Sequence, residues 1–128
     1  MASILRVNTL TDASSNNSIA TSFIAGGSAK AWAEIDMTGT ATNNDSFNIA
    51  SFTDAGTGEF NLVISSDMAN GNYCFSSGFN NQASDTSAFL KVTGASNKTA
   101  GQINMAKREN GNLVDCDVNC VILHGDLA

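Results

Sequence analysis

The most restrictive feature of this chain is its punctuation. Apolar residues come in short alternating or β-branched runs, each cut by Gly, Asn, Asp or Ser, and none of the 128 residues is proline. Alternation over four to eight residues gives a strand one apolar face, whereas a helix needs a 3.6-residue apolar period and caps at its ends. No stretch carries that longer period, and only Asp67-Met68-Ala69 reads as a single helical turn.

Residues 3–10 (SILRVNTL) read as a first strand, followed by a Ser/Asn-rich connector that ends in Gly26-Gly27. Residues 30–36 (KAWAEID) set Ala31, Ala33 and Ile35 against Trp32 and Glu34. Residues 46–53 (SFNIASFT) place Phe47 and Ile49 on one face, with Phe52 after a slip in phase. Residues 59–65 place Phe60, Leu62 and Ile64 together, and 72–76, 87–93, 102–107 and 113–124 supply further strands. The compact sequence Asp54-Ala-Gly-Thr-Gly58 makes the third and fourth runs a hairpin, and Asn70-Gly71 and Asn110-Gly111 are turn signals that tolerate positive φ. About seven to nine short strands without intervening helices predict an all-β fold, an antiparallel jelly-roll-like β-sandwich. A parallel β-helix would need a fixed repeat, which is absent. The expected organisation is an extended N-terminal arm, 1–28, and a sandwich domain, 29–128.

Leu, Ile, Val and Phe together make only 28 of the 128 residues, a thin supply for a core. Small domains with thin cores tend to bury surface against other subunits. The formal charge of −6 and six scattered Lys and Arg residues leave no basic stripe for nucleic acid. No apolar run reaches the ~20 residues of a membrane-spanning helix, so no membrane insertion is expected. The start, MASILRV, lacks a cationic region ahead of a long apolar stretch, so no signal peptide is expected either. Three cysteines, Cys74, Cys116 and Cys120, cannot close a disulfide framework and read as reduced thiols of a reducing compartment.

Catalytic patterns are weak. His124 is the single histidine, the serines are too many to single one out, and no Gly-x-Ser-x-Gly elbow occurs. The three glutamates, Glu34, Glu59 and Glu109, do not form a marked carboxylate pair of the glycosidase kind. Asp54–Glu59 resembles a calcium loop only faintly and reads as a turn, so neither metal nor cofactor is expected. Trp32 reads as a core or interface anchor, with a sugar-stacking platform as the alternative.

Seven blocks follow one another in order: Gly27-Ser-Ala-Lys-Ala-Trp32, Thr38-Gly-Thr40, Asp45-Ser-Phe-Asn48, Thr53-Asp-Ala-Gly-Thr-Gly-Glu-Phe60, Asp67-Met-Ala-Asn70, Asn72-Tyr73 and His124-Gly-Asp-Leu-Ala128. Together they resemble a family of tail-fibre-like bacteriophage virion proteins, common in phages of marine bacteria. The resemblance covers most of the chain, but residues 75–100 match no pattern of it. It implies a non-enzymatic β-sandwich on the virion surface, assembled in the host cytoplasm, forming a homotrimer and contributing to host attachment. Its expected partners are itself, other virion proteins of tail or capsid, and a host surface glycan.

Two assignments follow. Tyr73, Phe79, Asn80, Asn81 and Gln82 form the expected receptor-binding loop, the aromatics stacking on sugars and the amides bonding hydroxyls. Ile4, Leu5, Val7, Leu10, Phe23 and Ile24 form the expected assembly arm, suited to adding to a neighbour's sheet edge. The alternative role is that of a capsid decoration or head-fibre protein clamping shell subunits through the same arm.

Overall fold

In the computed structural model, which describes residues 4–15, 17–80, 89–93 and 97–128, the chain opens with a small hairpin. Strand β1 (Thr9–Thr11) pairs antiparallel with β2 (Ser18–Ala20). Asp12 closes it, accepting from Ser14 N at 3.1 Å and from Asn17 Nδ2 at 2.7 Å, while Ser15 takes φ 58°. A helix, α1 (Thr21–Gly27), follows directly. Of the strand expected over 3–10, residues 4–8 are irregular and only Thr9 and Leu10 are strand, and α1 was not expected at all. The helix has no side-chain N-cap and no buried residue, so neither a cap signal nor an apolar stripe marked it in the sequence. Thr21 ties its start to the preceding chain, its N donating to Asn8 O at 2.9 Å. Lys30 Nζ donates to Ser28 O at 2.8 Å and to Ala25 O, placing a cation at the helix C-terminus.

Ten further strands build the sandwich: β3 (Ala31–Asp36), β4 (Thr42–Phe47), β5 (Ile49–Gly56), β6 (Glu59–Ile64), β7 (Cys74–Phe79), β8 (Phe89–Val92), β9 (Lys98–Thr99), β10 (Gln102–Glu109), β11 (Asn112–Leu113) and β12 (Asn119–His124). The smaller sheet runs β4-β3-β12-β7. In the larger sheet β10 is the hub, pairing with β6, β8, β9 and β11, and β5 flanks β6. All pairings are antiparallel.

One apolar cluster lies between the sheets. Ala31, Ala33 and Ile35 of β3 and Val121 and Leu123 of β12 meet Phe60, Leu62 and Ile64 of β6, Ile103 and Met105 of β10 and Leu90 of β8. The alternations of β3 and β6 are those anticipated from sequence, because each strand has one dry face.

The expected single strand over 46–53 is in fact two strands in different sheets. Asn48 stands at the corner with φ 57°, a conformation asparagine tolerates better than most residues. Its Nδ2 donates to Lys30 O (2.9 Å) and Ser66 O (3.1 Å), and its Oδ1 accepts from Ser66 N (2.8 Å). Phe47 and Ile49 consequently do not share a face. The slip before Phe52 is real: the β5–β6 register shifts between Ile49 and Ser51.

Three further motif blocks hold structural positions. At Gly58, φ is +67° and a Cβ would meet Val114 N at 2.6 Å, so glycine is required there. Its N–H donates to Asp115 Oδ1 at 2.5 Å. The Asp67–Asn70 block pairs with the C-terminal block through a Met68–Leu127 bridge, with Ala69 N donating to Asp126 O and Ala128 N to Asp67 O. Residues 67–69 are thus a bridge and not a helical turn.

Candidate interaction surfaces

The arm is unusual for what it leaves uncovered. No described residue from 4 to 28 is buried. Ile4, Leu5 and Phe23 are 76%, 79% and 72% exposed, and Val7, Leu10, Ile19 and Ile24 are also open. Single exposed apolar residues need no explanation, but seven within one short segment do. The six residues expected to form an assembly arm are therefore all accessible. Ile4, Leu5 and Val7 lie in irregular chain, Leu10 on β1, and Phe23 and Ile24 on α1, so they do not share one strand.

A second apolar surface lies on the outer face of the smaller sheet. Pairing sets Phe47 of β4 opposite Trp32 of β3, and Trp32 opposite Ile122 of β12. Phe47 is 55% exposed and Ile122 also open, while Trp32 is half-buried. Trp32 is therefore outside the core, which leaves its interface and platform readings. One step along the strands, Asp45, Glu34 and Cys120 form the next row. Two carboxylates directly opposite each other repel, and neither forms an ion pair among the described residues. Trp32, Glu34, Asp45, Cys120 and Ile122 line a shallow depression of about 220 Å³. Phe47 lines a separate, larger hollow of about 570 Å³, together with Ala25 of α1 and Leu127. Sequence reasoning missed Phe47 and Ile122. The corner at Asn48 turns Phe47 outward, and only its left-handed backbone reveals that.

The expected receptor-binding set does not assemble as such. Tyr73 is 6% exposed and belongs to the core. Its OH donates to Gln102 O at 3.0 Å, Lys98 Nζ covers its ring at 4.2 Å, and burial pushes its hydroxyl pKa up to about 12. Its ring is buried and not offered to a sugar, and Gly125 packs so close beneath its backbone that a Cβ there would meet Tyr73 Cβ at 2.7 Å. Phe79 is half-buried, packs on the core and has Lys107 Nζ 5.2 Å from its centroid. Asn80 is exposed, but its Nδ2 donates to Asp117 Oδ1 at 3.2 Å. Asn81 and Gln82 lie outside the described residues.

Several titratable groups are held within the packing. Lys107, buried, pairs with Glu109. Cys116 is buried, its thiol pKa raised mainly by desolvation, and it donates to Asn119 Oδ1 at 3.1 Å. The Cys120 thiol is also raised, by burial first and then by Glu34. Cys74 is exposed, and all three thiols are free. Among the described residues no group of three His, Cys, Asp or Glu side chains is placed to hold a metal ion. His124 is half-buried beside a hollow of about 280 Å³ lined by Asn70, Asn72, Tyr73, Cys74 and Asp126. No helix of the described chain is long and apolar enough to cross a membrane. Comparison with protein-family models, curated proteins and solved structures returns no match.

Proposed function

We propose that this chain is a non-enzymatic structural protein of a bacteriophage virion surface, tail-fibre-like, which assembles with copies of itself through its N-terminal arm and contributes to host attachment. The observation that carries assembly is the arm: seven open apolar side chains on a segment none of whose described residues is buried. Burying apolar area is the main force in association, and closed symmetric oligomers are its usual outcome. A homotrimer is the order proposed. The virion setting rests on the ordered blocks from Gly27 to Ala128, whose Asn48, Gly58 and Gly125 hold fold-defining positions.

Attachment falls to the loops at the sandwich ends, with a host surface glycan as ligand, since the Tyr73 ring is engaged internally. The same open arm also suits a decoration or head-fibre protein that clamps capsid subunits, which is the second reading. Gold labelling of intact particles with an antibody to this chain separates them. Sparse label on the tail supports attachment, dense label over the head supports decoration, and unlabelled particles refute both.

A further inference from the structure

The outer face of the smaller sheet carries an apolar row, Phe47–Trp32–Ile122, and beside it the facing carboxylates of Glu34 and Asp45. The described arm, residues 4–28, holds one cation, Arg6, set in Ile4-Leu5-Arg6-Val7. Arg6 is exposed and forms no ion pair among the described residues. The arm's one acid, Asp12, is engaged in its own turn.

Spacing supports a match. In an extended segment Ile4 and Arg6 share a side, roughly 6.6–7 Å apart, the same step that separates the Trp32 row from the Glu34–Asp45 row along β3. We propose that residues Ile4–Val7 of one copy lie across this sheet face of a second copy, Ile4 on the Phe47–Trp32–Ile122 row and Arg6 between Glu34 and Asp45. The proposal rests on the reading of the arm as the assembly element and names the surface that receives it. Arg6 relieves the repulsion of the paired carboxylates, and the docked segment covers the depression beside Cys120. Leu5 and Val7 then face away from the sheet, open to a further chain of a closed ring.

The test uses the full chain and light scattering coupled to size-exclusion chromatography over a range of concentrations. Arg6→Glu places a third carboxylate on the acidic row and weakens self-association about tenfold. Glu34→Lys with Asp45→Lys does the same against the native arm. Combining all three substitutions inverts both partners and restores association to near the native level. Circular dichroism melting of each variant checks that the sandwich folds, since the three side chains lie on the surface. If the native chain oligomerises and the charge variants leave its mass unchanged, this docking surface is wrong while arm-driven assembly stands. A native chain that is monomeric at every concentration overturns both.

Discussion

Replacing Phe23 by serine separates assembly from folding. Phe23 sits on α1 with 72% of its surface open and takes no part in the sandwich core. Fully burying a phenylalanine side chain is worth at most about 3 kcal/mol. Scaled by the open fraction, covering Phe23 in an oligomer contributes about 2 kcal/mol, or about a 30-fold change in a dissociation constant. Phe23→Ser should therefore weaken self-association by about that factor in sedimentation equilibrium. Its urea midpoint, measured under dissociating conditions, should match that of the native chain, because the core loses nothing. Unchanged association would refute the claim that this ring is covered by a partner. An intrinsic loss of fold stability would refute the claim that the arm is independent of the sandwich.

The complementary substitution is Phe60→Ala. Phe60 is fully buried between the sheets, with its ring centroid 6.3 Å from that of Phe52, and the change should cost about 3–5 kcal/mol in urea unfolding. Tyr73 makes stability fall in alkali. Its hydroxyl is held near 12 in the folded chain against 10 in the open chain, so its contribution is full below about pH 10 and is lost as pH rises towards 12. Tyr73→Phe should flatten that part of a pH–stability profile. The thiols should react in the order of their exposure. Cys74 modifies first with a maleimide near neutral pH, Cys120 slowly, and Cys116 only on unfolding, as peptide mapping by mass spectrometry will read out.

The parts of the fold visible in the sequence are those governed by strand alternation and by turn chemistry. Ala31–Asp36 and Glu59–Ile64 alternate because one face of each meets the core, and the slip before Phe52 marks a real register shift. Asn110-Gly111 takes φ of 46° and 83° as its sequence suggests. Three features were hidden for physical reasons. α1 is a seven-residue helix without a side-chain cap or a buried face, so it leaves no periodic signal. The run through Asn48 looks continuous in hydropathy, yet a single left-handed residue sends its halves to different sheets. Tyr73 lies beside a turn signal among small polar residues, as a recognition loop would. Only tertiary packing against Gln102, Lys98 and Gly125 makes it a core residue.

The apolar residues of the arm were legible as a set because a Ser/Asn-rich connector sets that segment off from the rest of the chain, and the structure leaves them exposed. The outer sheet face was only half legible: Trp32 stands out by its type, but Phe47 and Ile122 join it through cross-strand register, a long-range property.

The central claim is that the arm, and not the sandwich, holds copies of the chain together. The most direct measurement is the solution mass, by light scattering, of the full chain beside a chain lacking residues 1–28. The full chain should be an oligomer, with the mass of a trimer, and the shortened chain a folded monomer. A shortened chain that keeps the oligomeric mass of the full chain would contradict the claim.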